Sequence, residues 1–258
     1  MAMDLFQALI FGVVEGVTEF LPVSSTGHLI LTARILGVSQ SDFMKSFEVA
    51  IQCGAIGAVI LLYGKTLLKD FGILKKILLA FIPTAVLGLV FYKIVKHFFL
   101  GSQSVVLWSL LLGGIFLIVF EIIHREKNDA TGELSAVTYQ QAFWVGIFQS
   151  LAMIPGVSRA AATIIGGLML GLKRKIIVEF SFILAVPTML AATGWDLLKS
   201  GVHFSSQEFN LLMVGCVVSF GVAVLSIKLL LSFIKTHSFI PFGIYRIGIA
   251  TLFGLWVI

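Results

Sequence analysis

Six stretches of this chain are apolar for close to twenty residues each, at about 44–63, 77–95, 104–123, 177–198, 209–231 and 240–258. That is the length at which an α-helix crosses the hydrocarbon core of a bilayer. The chain reads as an all-α polytopic membrane protein. Charged residues are only 12% of its 258, about half the ~25% of soluble domains, and too few to cover a wet surface. The net charge of +5 sits in short loops between apolar runs, where it sets topology. No basic patch interleaved with aromatics occurs in a soluble segment, so nucleic acid is not expected as a partner. Cys53 and Cys216 lie inside apolar runs and read as packing residues rather than a disulfide or metal pair.

Two further apolar stretches, 5–36 and 139–172, are interrupted midway. The first break is Pro22-Val23-Ser24-Ser25-Thr26-Gly27-His28, and the second is Pro155-Gly156-Val157-Ser158-Arg159. Each half is too short for a full crossing, so helix–break–helix hairpins that enter and leave on one side fit better. The opening residues lack a basic leader and a small-residue cleavage site, and read as part of a hairpin rather than a removed signal peptide. Non-helical backbone at membrane depth survives only where it is buried in protein or lines a wet cavity. The two breaks are therefore where chemistry is expected.

The hairpins also mark a repeat. At an offset of 134, Gln7, Ala8, Gly12, Val23 and Ser24 match Gln141, Ala142, Gly146, Val157 and Ser158. Glu15 falls opposite Gln149, and Ser25 opposite Arg159. Each copy (1–123 and 139–258) holds one hairpin and three spans. Three is odd, so the second copy is expected upside down, an arrangement that places a site at the repeat interface. The expected architecture is six transmembrane helices plus two re-entrant hairpins in an inverted-topology repeat. The polar segment 124–138 joins the copies.

Loop charges orient the chain. Lys65, Lys69, Lys75, Lys76, Arg125, Lys127, Lys173, Arg174, Lys175 and Lys235 fall on one side, against Arg34, Lys45, Lys93, Lys96 and Lys199 on the other. The richer side, including the 124–138 loop, is expected in the cytoplasm. The termini and first hairpin then face outward, and the second hairpin enters from inside.

Glu15 and Glu19 share one helix face, four residues apart. Two carboxylates at membrane depth repel each other unless a divalent cation, a shared proton or an arginine intervenes. Ser24, Ser25, Thr26 and Gly27 place three hydroxyls and a flexible residue where the next helix begins, and helix N-termini bind anions. The hydroxyls also serve as caps. His28 lies one turn further on, in reach of those hydroxyls. Arg159 and Ser158 come from the second break, with Thr163 one turn beyond. Arginine suits multidentate phosphate recognition; a snorkelling interfacial arginine is the blander alternative. The set suggests phosphoryl transfer or phosphate hydrolysis. Glu48 and Gln52, one turn apart, are candidates to line the cavity. Arg246 requires a partner, with Glu48 or Glu179 expected. Glu121 and Lys228 near span ends are expected to snorkel.

Residues 15–28, Glu-Gly-Val-Thr-Glu-Phe-Leu-Pro-Val-Ser-Ser-Thr-Gly-His, resemble the signature of the bacterial undecaprenyl-pyrophosphate phosphatase family, also known for bacitracin resistance. Pro155–Arg159 with Ala162-Thr163-Ile164 resembles its second signature, and Phe47–Gln52 and Tyr245-Arg246 are similar to the family too. The resemblance covers essentially the whole chain. It implies hydrolysis of undecaprenyl diphosphate to undecaprenyl phosphate and phosphate, recycling the lipid carrier for peptidoglycan. It also implies a bacterial inner-membrane location, a site open to the periplasm, and a divalent cation, magnesium or calcium, held by Glu15 and Glu19. The carried-over catalytic residues are Glu15, Glu19, Ser25, His28 and Arg159. Ser24, Thr26, Gly27, Ser158 and Thr163 bind phosphate, supported by Glu48, Gln52 and Arg246. Ala160-Ala161 departs from the family's usual Ser-Gly, losing a hydroxyl and a close backbone approach.

In the mechanism expected, a serine attacks phosphorus, Ser25 ahead of Ser24, with His28 moving the proton; direct water attack or His28 as nucleophile is the alternative. A polyprenyl-phosphate transporter or flippase using the same site is the competing class. The expected partners are a polyprenyl diphosphate lipid, the bilayer, and a second copy in a homodimer.

Overall fold

A computed structural model describes residues 3–39, 41–94, 102–126, 130–200 and 204–257. Lys96 and Lys127, Asn128 and Asp129 of the joining loop, and the side chains of Lys93 and Lys199 lie outside the described residues. Among the described residues ten α-helices follow one another: α1 (Leu5–Thr18), α2 (Ser25–Ile35), α3 (Asp42–Lys69), α4 (Phe71–Ile94), α5 (Gln103–Ile123), α6 (Tyr139–Gln149), α7 (Arg159–Met169), α8 (Arg174–Ser200), α9 (Ser206–Phe233) and α10 (Ile240–Val257). Among the described residues the extended structure is one isolated bridge, Thr131 to Leu172. Five helices, α3, α4, α5, α8 and α9, are long and apolar enough to cross a membrane. The sixth expected crossing, α10, is a shorter apolar helix.

Both interrupted stretches form helix–break–helix pairs, α1–α2 and α6–α7. At the first break Pro22 removes a backbone donor and disfavours helix in the residue before it. At the second, α6 tightens into a 3-10 turn over Ser150–Met153 and stops before Pro155-Gly156. Gly156 has φ +92, and a Cβ there would stand 2.7 Å from Val106 O of α5. Only glycine allows both that backbone and that approach.

The offset of 134 recurs in local geometry. Asp4 and Gln7 form a capping box on α1, and Thr138 and Gln141 form one on α6. Gln7 Nε2 donates to Leu36 O at 3.3 Å, and Gln141 Nε2 to Leu170 O at 3.0 Å. Gly37 and Gly171 both end their helices at positive φ, 63° and 80°, as helix-terminating glycines do. Ser24 and Ser158 are the non-glycine residues at positive φ among those described, both at 73°, and each caps the helix that follows. Packing is crossed between the halves. α1 lies along α9, and α6 lies along α4. α8 is the most enclosed of the five long helices, with Phe180, Phe182, Ile183 and Leu184 all fully buried.

The loops with the larger positive charge meet at one end of the bundle. Lys76 donates to Ser135 O at 2.6 Å, and Thr131 N to Gly171 O at 3.0 Å. Glu121 is not a snorkeller. Its side chain is 3% exposed and forms an ion pair with Arg174, while accepting from Phe239 N at 3.2 Å. Glu121 therefore ties α5, α8 and the start of α10 together. Lys228 is exposed.

Arg246 on α10 is completely buried, and neither Glu48 nor Glu179 is among its hydrogen-bond partners. Its guanidinium donates instead to five backbone carbonyls: Leu110 O from Nε (3.4 Å), Pro22 O (3.3 Å) and Val157 O (3.0 Å) from Nη1, and Ser109 O and Gly156 O (2.9 Å each) from Nη2. Arginine has five N–H donors, and each has an acceptor. Gly113 leaves room for the group, since a Cβ there would collide with it. A carboxylate could have reached only one or two of these donors. The breaks need a donor for several stranded carbonyls at once, and that need explains why carbonyls replace the expected acid.

Replacing Arg246 with Met is expected to lower the unfolding free energy by more than about 3 kcal/mol, because the buried carbonyls of Pro22, Gly156 and Val157 at the breaks lose this donor. Arg246→Lys, with three donors, should recover part of it. Thermal melting in detergent reads both; a Met variant that melts with the wild type would contradict this role.

Candidate active site

A cavity of about 710 Å³ opens between the two breaks and helices α3, α4 and α8. Glu19, Ser24, Ser25 and Thr26 reach its wall from the first hairpin, and Ser158 and Arg159 from the second. Gln52, Thr84, Gln149 and Thr188 add polar lining; much of the rest is apolar, including Phe81, Leu89, Met153 and Trp195.

The chemistry centres on Glu19. Its Oε1 accepts from Arg159 Nη2 at 2.7 Å, and its Oε2 accepts from Ser25 Oγ at 2.5 Å. A hydroxyl held on a carboxylate that is itself oriented by a third group is the pattern of an activated nucleophile. The Arg159–Glu19 pair joins two hairpins 140 residues apart in sequence, with side chains 11% and 6% exposed. Arg159 is held from several sides. Nη1 donates to Ser181 O (2.9 Å) and Ser181 Oγ (3.3 Å), and the guanidinium lies 5.6 Å from the Phe20 ring centroid. Its Nε is buried without a hydrogen-bond partner.

Two helix N-termini meet this group. Ser24 Oγ accepts from Gly27 N of α2 at 3.4 Å, and Ser158 Oγ accepts from Ala161 N of α7 at 3.2 Å. Each helix's first turn keeps further N–H groups without intrahelical acceptors. With both positive helix ends and Arg159 at one cavity, the site is built for an anion with several oxygens.

Other expected site residues stand behind this wall. Thr163 is fully buried and binds Arg159 O (2.9 Å), Ala160 O (3.1 Å) and Ser181 Oγ (2.6 Å). It is placed to steady Arg159 through Ser181, not to touch a ligand. Gly27 packs beneath Val106 and Leu110. His28 is buried behind the turn, with Nδ1 2.7 Å from Ser24 O and Nε2 2.8 Å from Tyr245 Oη. Gln52 reaches the cavity, whereas Glu48 is not on its wall. Ala160 and Ala161 are buried and off the wall, so the hydroxyl absent from this pair takes no group from the cavity.

Glu15 is completely buried, and neither carboxylate oxygen has a hydrogen-bond partner. A buried carboxylate in that state calls for a cation or a proton. No group of three or more His, Cys, Asp or Glu capable of holding a metal occurs among the described residues. Magnesium, however, is commonly bound by one or two carboxylates plus substrate phosphates. Glu15 and Glu19 are the carboxylates that would hold such a cation; Glu19 is on the cavity wall, with its oxygens on Arg159 and Ser25, and Glu15 is buried off that wall.

Three residues escaped the sequence reading: Ser181 beneath Arg159, and Thr84 and Thr188, whose hydroxyls accept from Gln149 Nε2 (2.8 and 3.0 Å). A usable signal was present. Thr84, Ser181 and Thr188 are isolated polar residues in otherwise apolar spans, and such residues favour the bundle interior.

The family described as Bacitracin resistance protein BacA matches residues 8–252. Proteins named undecaprenyl-diphosphatase are similar over almost the full length. The one from Aquifex aeolicus is 51% identical over 98% of this chain and 98% of its own. That from Sulfurihydrogenibium sp. is 52% identical over 98% and 100%, and that from Wolinella succinogenes 50% over 98% and 99%.

Inorganic pyrophosphate should raise the melting temperature of the purified protein, since a ligand at 100 times its Kd adds about 2.7 kcal/mol. Arg159→Gln should remove the shift. An equal shift in wild type and variant would show that pyrophosphate binds elsewhere.

Proposed function

We propose a mechanism from the premise that this chain belongs to the bacitracin resistance protein BacA family. The protein is a membrane hydrolase, an undecaprenyl-diphosphatase. The observation that carries the mechanism is the Ser25 hydroxyl held on Glu19 Oε2, beside Arg159 and two helix N-termini. The relatives' names support hydrolysis over the transporter alternative, and a transporter has no need of a hydroxyl poised on a carboxylate.

Arg159 and the first-turn N–H groups of α2 and α7 hold the terminal phosphate and the charge that builds on it. Ser25 Oγ attacks phosphorus and passes its proton to Glu19. The anhydride P–O bond breaks, and undecaprenyl phosphate leaves. Water then attacks the phosphoserine, giving its proton to Glu19, which has by then released the first to the cavity; the Ser25 Oγ–P bond breaks, and Glu19 passes that proton to Ser25 Oγ. Inorganic phosphate departs and Ser25 is restored. Ser24, Thr26 and Ser158 shape the phosphate pocket. Glu15 and Glu19 are the residues that would hold a divalent cation, magnesium or calcium, and its contribution is to neutralise diphosphate charge. The apolar lining from α4 and α8 accommodates the first part of the lipid tail.

The paired geometry at offset 134, the crossed packing of α1 on α9 and α6 on α4, and the clustering of basic loops support an inverted repeat. In it, α10 is the sixth crossing and the hairpins are re-entrant. The charge asymmetry supports a cytoplasmic 124–138 loop, a bacterial inner-membrane location and a cavity open to the outside. The product then rejoins the lipid-carrier cycle of peptidoglycan synthesis.

Phosphate release from undecaprenyl diphosphate by purified protein in detergent tests the mechanism. Ser25→Ala and Glu19→Gln should each lose about 10³-fold or more, and Arg159→Gln about 10²–10³-fold. A Ser25→Ala variant near the wild-type rate would sink the nucleophile and leave direct water attack. A chelator that leaves the rate unchanged would remove the cation.

A further inference from the structure

The residue types suggest a proton carrier in His28, and the geometry points to a different task. Ser24 O can only accept, so the short contact of 2.7 Å places the imidazole proton on Nδ1. The Nε2 lone pair then accepts from the Tyr245 hydroxyl at 2.8 Å. Both ring nitrogens are thereby engaged with protein. The ring is 8% exposed and lies off the cavity wall.

What His28 grips is the strained residue of the turn. Ser24 sits at φ 73, ψ 94, a region costly for a residue with a Cβ. Its carbonyl takes His28 N at 3.2 Å as well as His28 Nδ1. The next residue is Ser25. The matching turn at Ser158 has the same φ, but the position equivalent to His28 is Ala162, and the one equivalent to Ser25 is Arg159. The clamp thus occurs only at the turn that carries the hydroxyl on Glu19. Tyr245 adjoins Arg246, which holds Pro22 O. One end of α10 therefore secures the turn on both sides of Val23, directly at Pro22 and through His28 at Ser24.

We propose that His28 and Tyr245 are positioning residues. Nδ1–H of His28 fixes the Ser24 carbonyl, Tyr245 fixes the imidazole tautomer, and together they hold Ser25 Oγ on Glu19. This rests on the reading of Ser25 as nucleophile. No proton moves through His28 in the reaction.

Four variants of the full chain separate this from proton transfer. Asparagine at 28 offers an amide N–H near the position of Nδ1–H, and glutamine offers one near Nε2. His28→Asn should release phosphate from undecaprenyl diphosphate within about tenfold of wild type. His28→Gln and His28→Ala should lose about 10²-fold or more, mostly in kcat, the scale of a misplaced reacting group. Tyr245→Phe should lower kcat severalfold with KM little changed. An Asn variant as inactive as the Ala variant, alongside an unimpaired Tyr245→Phe, would overturn the proposal. Histidine ¹⁵N NMR gives an answer independent of turnover. The His28 signals, identified by their loss in His28→Asn, should show the Nδ1–H tautomer in wild type. An Nε2–H tautomer or an imidazolium would overturn the clamp. If wild type released no phosphate, the hydrolase mechanism would fail while the NMR still judged the clamp. If His28→Asn failed to fold, Tyr245→Phe and the wild-type spectrum would decide.

Discussion

Five carbonyls on one buried guanidinium hold this structure's centre together. A chain that interrupts two helices in its buried interior strands backbone acceptors where no water can satisfy them. Arg246 answers for Pro22 at one break, Gly156 and Val157 at the other, and Ser109 and Leu110 of α5 between them. Its planar fork is what lets one side chain serve three segments. The charge meets carbonyl dipoles within the protein, at a position with no exposure. That anchor and the Arg159–Glu19 pair are what tie one turn to the other.

The site follows from that closeness. Each break ends in a serine at positive φ that caps the next helix, so two helix N-termini open on one cavity. The halves then diverge. Where one supplies Ser25 the other supplies Arg159, and Glu19 bridges them. One break contributes a hydroxyl and the carboxylate that accepts from it, the other the guanidinium paired with that carboxylate. Glu15 and Gln149 divide similarly, an orphaned carboxylate in one half and an amide bonded to Thr84 and Thr188 in the other. Two turns of matching backbone thus present unlike groups to one cavity.

Much of this was legible in the residues. Five of the six apolar runs became helices long enough to cross a membrane, because length and apolarity decide that property locally. The breaks were legible through Pro22 and Pro155-Gly156, and Gln7 and Gln141, matched in the sequence at an offset of 134, bind corresponding carbonyls at Leu36 and Leu170. Partner choice was not. A buried cation suggests a carboxylate, yet Arg246 took carbonyls, and Glu121, which looked interfacial, took Arg174. Thr163 shares a helix face with Arg159, but its hydroxyl turns to Ser181. Such pairings depend on which helices cross, and that information lies in tertiary packing rather than in spacing along the chain.

The central claim is that the two breaks form one diphosphate site. A crystal structure with a polyprenyl methylene-bisphosphonate, which cannot be cleaved at the bridging position, tests it most directly. The account predicts the terminal phosphonate between the N-termini of α2 and α7, within hydrogen-bond reach of Arg159, with Ser25 Oγ facing phosphorus. A headgroup bound away from either break, or one contacting only the first hairpin, would contradict it.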